Sequence, residues 1–337
     1  MSYPSRRMRG SILLIALWAL FSLAGFAVIL GSQVRQKLIL VKRLEARNKL
    51  TMIAEAAIPL GIAEIKRFEK AEVFALKDSW SVNPLFKDIA VADGTCSFSR
   101  PMKPDPSVAD AAFYGMADEE SKVNINKADA KLLISLMRVV LGVDDVEAQG
   151  LAASIVDWRD ADSEMSMPQG SAEDSQYRGL KYAYESKDAP FQVLEELLLV
   201  NGFNSNVFEK LKKYITIYGS GKVNINTAGR ELLYIVGFSQ VTADKILDLR
   251  AGKDGFAGTA DDIVFTSISD IGPKLSQASG FSVSDITALN AVVEAYMSVT
   301  STAFTINSVG ISPGEKDSGL VSCVIDIKGR ILAYRRQ

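Results

Sequence analysis

"RMRGSILLIALWALFSLAGFAVIL" spans residues 7–30, and its reading decides the rest. Three arginines, Arg6, Arg7 and Arg9, precede Gly10, and no charged residue follows until Arg35. An uncharged run from 10 to 34 is long enough to cross a bilayer as a helix, which takes about 20 apolar residues. A cleaved secretory signal has a shorter apolar region and then a small-x-small cleavage site. Here the helical pattern continues instead. Val34, Leu38, Val41, Leu44, Ile53, Ala57 and Leu60 recur at steps of three and four among Arg35, Lys37, Lys42, Arg43, Glu45 and Arg47. The spacing predicts one helix of about 50 residues or more leaving the membrane, with a kink at Pro59 and Gly61.

The chain has 337 residues and a net charge of −2, with 48% hydrophobic and 23% charged residues. That is a globular composition. The charge is uneven. Residues 1–50 carry nine basic residues against Glu45, so the remainder is acidic by ten charges. An acidic body is a poor electrostatic partner for nucleic acid. There is no histidine, which removes the commonest general base and transition-metal ligand. There is no P-loop, and without histidine no Ser-His pair, so no catalytic constellation stands out and no enzyme activity is expected. Cys96 and Cys323 form no metal-binding pattern; both a disulfide and two buried thiols are open.

Beyond the stem, residues 72–120 read as loops and short strands at 73–76, 95–98 and 112–116, broken by Pro84, Pro101, Pro104 and Pro106. Near the C-terminus "AFTINSVG" (303–310) and "GLVSCVIDIKGRILAYRR" (319–336) alternate apolar and polar residues around a Lys328-Gly329 turn, as hairpin strands do. Strands at both ends with helical patterns between predict a sheet interrupted by a helical insertion. Inside it, "KVNINKADAKLL" (122–133) recurs as "KVNINTAGRELL" (222–233). Each copy leads to a similar phrase, "SIVDWR" (154–159) and "KILDLR" (245–250). The unit looks like a helix-hairpin-helix, with Asn126 or Thr227 expected to cap the following helix. The segment 196–214 reads as a related piece.

Two loops are candidates for a hard cation. "DWRDADSEMS" places Asp157, Asp160, Asp162 and Glu164 in one turn-rich stretch, and "SAEDSQY" adds Glu173 and Asp174. Without histidine or paired cysteines, a metal here must be oxygen-bound, and calcium takes six to eight oxygens from such loops. The second loop, "GKDGFAGTADDIVFTS" (252–267), sets Asp254, Asp261 and Asp262 among glycines. It resembles the D-G-x-x-G-T-x-D-D loops of calcium-dependent extracellular repeats.

Basic leader, glycine, Ser11 and a retained apolar helix together resemble the class III signal of type IV pilins and type II secretion pseudopilins. Behind it come the 124–128 phrase, "DWRDAD" (157–162), "SAEDSQY" (171–177), "PFQVLEELLLVNG" (190–202), "YITIYGSGKVNINTA" (214–228) and the closing strands. In that order the chain resembles the minor pseudopilin K family of type II secretion. The long 251–285 segment, the short leader and Ser11 depart from that pattern.

The resemblance implies an α+β fold: a long N-terminal transmembrane and amphipathic helix packed on a small antiparallel sheet, with a large inserted helical domain of helix-hairpin-helix or SAM-like repeats. The implied boundaries are a prepilin leader at 1–10, a membrane helix at 11–31 and a stem at 32–71. A β domain at 72–121 and 301–337 surrounds an insertion at 122–300. It also implies cleavage by a prepilin peptidase between Gly10 and Ser11 with methylation of the new N-terminus. The partners implied are other minor pseudopilins, met through stems and heads, and an inner-membrane assembly platform. It supports structural calcium on Asp160, Asp162, Glu173 and Asp174. The N-terminus would be cytoplasmic and the body periplasmic, although basic residues outnumber those of the leader on the far side of the apolar run. The fifth residue after Gly10 is Ile15, where most of the family carries glutamate, and that absence is typical of the tip subunit.

A rival resemblance is to membrane-anchored DNA-uptake proteins, carried by 224–250. Such hairpins bind phosphates through outward-pointing amides. The hairpin at 237–241 lacks the second glycine, and the first repeat puts Asp144 and Asp145 there. A calcium-stabilised extracytoplasmic binding module is a third class.

Overall fold

The computed structural model describes residues 11–100, 114–162, 164–166, 174–277 and 283–336. Helix α1 covers Ser11–Ala56 and α2 covers Ile58–Arg67. The break falls at Ala57, because Pro59 in the first turn of α2 has no N–H for the helical ladder. Apolar side chains from Ile12 to Leu44 stand exposed, and burial begins at Leu50 and continues through Ile53, Ala54, Ala57, Ile58, Gly61 and Ile65. Those positions repeat at three and four, so one stripe of the helix is covered.

That stripe lies on an antiparallel sheet. After a short 3-10 turn at Pro84–Phe86 come β1 (Ile89–Val91), β2 (Gly94–Phe98) and β3 (Ala117–Asp118). The insertion then holds β4 (Val123–Asn124), α3 (Ala130–Leu141), α4 (Asp145–Arg159), α5 (Asp174–Arg178), α6 (Ser205–Leu211) and β5 (Ile215–Thr216). A second set follows: β6 (Val223–Asn224), α7 (Arg230–Val236), α8 (Gln240–Arg250), α9 (Ile271–Gln277), α10 (Val283–Tyr296) and β7 (Met297–Ser298). Strands β8 (Ala303–Ile311), β9 (Gly319–Asp326) and β10 (Ile331–Arg336) close the sheet. Its order is β1-β2-β8-β9-β10, with β3 also on β8.

The chain leaves the sheet at Asp118, opposite Phe304, and returns at Ala303. Among the described residues, buried apolar side chains form two clusters. One joins the stem to the sheet through Ile53, Ile65, Phe98, Phe304 and Ile306; the other fills the insertion from Val123 to Val299. The stem sits against the foot of β8 and β9 only because Gly310 and Gly319 have no side chain. A Cβ on either would lie 2.5–2.6 Å from the Leu50 carbonyl oxygen.

Each set begins with a Val-Asn strand that pairs in parallel with the strand ending the set: Val123 with Ile215, Val223 with Met297. The insertion is therefore a duplication, two short strands bracketing four helices, twice.

Several local expectations change. Residues 73–76 form no strand. The Phe74 amide donates to the Val299 carbonyl and its own carbonyl accepts from Asn224, so this segment docks on the insertion. Of 112–116, residues 112–113 lie outside the described residues, Tyr114 makes a single bridge to Ser99, and the strand falls one step later at β3. The caps of α3 and α7 are Asp129 and Gly229, not Asn126 or Thr227, whose side chains are used elsewhere. Cys96 faces Gly310 across β2–β8, whereas Cys323 faces Ile306 across β8–β9. Two strands and four residues apart, their Cα atoms are roughly 16 Å from one another, beyond the ~7 Å a disulfide spans. Both are free, buried thiols.

Candidate functional site

The first acidic loop follows α4. Asp157 is fully buried; one carboxylate oxygen accepts from the Ser166 amide and the other, Oδ2, has no partner. Asp160, the C-terminal cap of α4, likewise has an unpartnered buried oxygen, Oδ1. Its carboxyl is held above the ordinary carboxylate range by burial first, then by the charges of Asp162, Asp157 and Asp188. Arg159 does not relieve them fully, because its guanidinium is spent on the carbonyls of Ile125 and Ala128. Asp162 accepts from the Glu164 amide at 2.9 Å, and Glu164 is exposed. Asp188 enters through the Trp158 carbonyl, to which its amide donates at 3.1 Å, with a left-handed φ of 52°. The platform below is aromatic: Trp158 meets Tyr177 and Tyr184 edge-on at 5.4 and 6.2 Å, and the two tyrosines stack at 5.1 Å.

Asp174 is engaged differently. It accepts from the Ser186 hydroxyl and amide and from Arg178, and the serine bonds hold its carboxyl below the usual range. Glu173 lies outside the described residues.

The second loop closes on itself. Asp261 accepts from the amides of Lys253 and Asp254 and from the Thr259 hydroxyl, which together lower its carboxyl to about 2. Asp262 accepts from the amides of Gly258 and Thr259, and Asp254 from that of Phe256. The Asp262 carbonyl takes Lys77 Nζ at 2.9 Å, tying the loop to the segment after the stem. Among the described residues no three acidic side chains converge into a ligand cage. The two loops thus differ. The first holds buried, unpartnered carboxylate oxygens, a donor set suited to a hard cation. The second has turned its oxygens onto its own amides.

Sequence reasoning missed Asp188. It lies 26 residues from Asp162 in the chain, and only the fold brings it beside Asp160.

The hairpins leave little for phosphate. The amides that open α4 and α8 already have side-chain caps, Asp144 onto the Glu147 amide and Ser239 onto that of Thr242. Asp145 further pairs with Arg138. Ser11, the expected first mature residue, begins α1; Gly10 lies outside the described residues. The apolar part of α1 is long and apolar enough to cross a membrane.

Residues 113–220 match the family model of type II secretion system protein K, its first domain. A type II secretion system protein K of Aeromonas hydrophila is 36% identical over 89 residues, 26% of this chain and 27% of that protein. One from Pseudomonas aeruginosa is 27% identical over 172 residues, 48% of this chain and 50% of its own. The matched region therefore spans half or less of the length of these curated relatives. Among solved structures, the GspK-GspI-GspJ complex from the type 2 secretion system of enterotoxigenic Escherichia coli superposes with a TM-score of 0.63. At 16% identity it covers 88% of this chain and 99% of the matched one, which speaks to fold. Motif order, the match over residues 113–220 and the fold agree, and all three make this chain similar to type II secretion system protein K.

Proposed function

We propose that this protein is a minor pseudopilin that starts or caps the pseudopilus of a type II secretion system. The observation that carries this reading is the insertion between Asp118 and Ala303, which is absent from a minimal pilin head. A body of about 180 residues has a radius of gyration of roughly 16 Å, too large to stack at the nanometre rise of a filament. Ile15 agrees with it: the chain offers no carboxylate at that point for the amine of an earlier subunit, and the first subunit has none before it.

In this reading α1 anchors the protein in the inner membrane, N-terminus inside and body in the periplasm, after a prepilin peptidase cuts between Gly10 and Ser11. Residues 34–49 then stand clear of the membrane over about 24 Å of helix, with Val34, Leu38, Val41 and Leu44 exposed. That stripe suits the stems of other minor pseudopilins, in keeping with the complex in which the relative was solved, and an assembly platform would feed them in. Calcium at the first acidic loop, drawn by the unpartnered oxygens of Asp157 and Asp160, would neutralise clustered carboxylates and fix the loop.

Two measurements test the reading. N-terminal sequencing of the membrane form should begin at Ser11. Gold-labelled protein should appear once per filament end, and its loss should impair initiation; labelling along shafts, or a start at Met1, overturns it.

A further inference from the structure

Three consecutive acids, Asp118, Glu119 and Glu120, sit where the insertion leaves the sheet, and all three are buried, at 1%, 2% and 2% exposure. Burying charge is costly unless it is paired or neutralised. Each solves the problem differently. Glu119 pairs with Lys122 and accepts from the hydroxyls of Thr216 and Thr305; burial would raise its carboxyl, but these partners outweigh it and hold it low. Glu120 accepts from the amides of Ser220, Thr302 and Ala303 and from the Thr302 hydroxyl. Among the described residues Asp118 has no cation at hydrogen-bond distance. Its Oδ2 lies 2.5 Å from Thr227 Oγ1, 2.7 Å from Ser301 Oγ and 3.4 Å from Asn224 Nδ2, while Oδ1 accepts from the Glu120 amide.

The hydrogens around Asp118 can be placed. Ser301 takes a hydrogen from Asn224 and gives its own to Asp118. The Thr227 hydroxyl donates to Asp118 Oδ2 when the carboxyl is ionised; with the carboxyl protonated it can turn its hydrogen to the Asn224 carbonyl, 3.4 Å away, and receive the Asp118 proton on its oxygen. We propose that Asp118 is a proton-operated clasp between the sheet and the second helical repeat: with its proton it donates to Thr227 and holds the two together, and without it they loosen. Thr227 and Asn224 belong to the second repeat, and Ser301 leads into β8. The charged groups near Asp118 are Glu120, on its own turn, and Arg100, whose guanidinium donates to Ser81. Glu119 and Lys122 are occupied with each other, and Arg250 is spent on the Ala228 carbonyl. Strand β8 itself carries no charged residue. A cavity of about 260 Å³ is lined by Thr302, Ala303, Asp326, Lys328, Arg330 and Gly219, which abuts the Glu120 carboxylate.

Burial, then the Glu120 charge, pushes the Asp118 carboxyl up from 3.8 to about 8. The folded junction therefore holds a proton that the unfolded chain has already released. Its contribution is complete below pH 3.8 and is lost as pH rises through about 8. The device would let the acidity outside the inner membrane set how firmly the insertion is fixed to the stem-bearing sheet.

Hydrogen exchange on the full chain, in wild type and in Asp118→Asn, tests this. Asparagine is the permanently neutral mimic. After correction for intrinsic rates, protection of the Ser220, Asn226 and Thr302 amides should fall at least about tenfold in wild type between pH 6 and 9, and stay flat in the variant. Parallel profiles overturn the clasp. If the variant does not fold, ¹³C carboxyl titration of wild type decides: Asp118 protonated at pH 7 supports it, and Asp118 ionised at pH 6 overturns it.

Discussion

Asn126 and Asn226, one hundred residues apart, make the same two hydrogen bonds. Asn126 Nδ2 donates to the Phe191 carbonyl while its Oδ1 accepts from the Phe191 amide. Asn226 does the same with Phe265. Each asparagine thus pins the chain where an acidic loop re-enters its repeat, and Arg159 and Arg250 brace the same turn through the carbonyls of Ala128 and Ala228. The two loops are equivalent parts of one duplicated unit, yet only the first keeps unpartnered carboxylate oxygens.

Asn226→Ala removes both bonds and leaves a buried amide and carbonyl of Phe265 without partners. Each such loss costs about 1–3 kcal/mol, so the variant should lose roughly 2–4 kcal/mol of stability. Asn126 is less buried, and Asn126→Ala should cost less. Urea unfolding of the two variants checks the order; equal and negligible losses would remove the pinning role.

Gly319→Ala and Gly310→Ala test the seat of the stem. Their Cβ atoms would fall on the backbone of Leu50, which has no side-chain freedom with which to yield. Overpacking of this kind costs about 1–3 kcal/mol, and here it should loosen the stem from β8 and β9. Protection of the amides around residues 50–57 should fall in each variant, while that of the insertion, with its separate core, holds.

Much of this was legible in the chain. The stem announced itself by an uncharged run followed by a three-four repeat, both local signals. The duplicated Val-Asn-Ile-Asn phrase marked the repeat. What these asparagines do was not legible, because their partners lie 65 and 39 residues away and are backbone atoms. The same holds for Asp118, Glu119 and Glu120. Three adjacent acids carry no local mark of burial, and it is the return of residues 301–305 together with Thr216, Ser220 and Thr227 of the insertion that encloses them. The 73–76 segment misled for the opposite reason: its apolar residues look like a strand, but their partner is the insertion.

The hairpins predict a negative result with nucleic acid. Binding duplex requires free amides or cations at the hairpin, and here Asp144 and Ser239 occupy the amides. A gel-shift titration at low salt should show no retardation by the body of the protein. A salt-sensitive shift that Ser239→Ala alters would reverse this conclusion.

The first acidic loop gives a prediction in which one substitution has two signs. Asp160 sits among Asp157, Asp162 and Asp188, with a buried oxygen unpartnered, so without a cation its charge opposes folding. Asp160→Asn removes that charge at constant size and should raise the melting temperature in chelator. Calcium needs the charge. A ligand that binds only the native state adds about 2.7 kcal/mol at 100-fold over its Kd, or roughly 5–10 °C for a body of this size. Wild type should gain that shift on adding calcium, and Asp160→Asn should gain little of it. The curves should therefore cross, with the variant more stable in chelator and less stable in calcium. Simple structural damage would place the variant below wild type in both conditions. Asp261→Asn serves as the contrast: its oxygens already hold the amides of Lys253 and Asp254 and the Thr259 hydroxyl, so it should be destabilised with or without calcium. Superimposed wild-type melting curves in calcium and in chelator would leave the first loop a solvated surface.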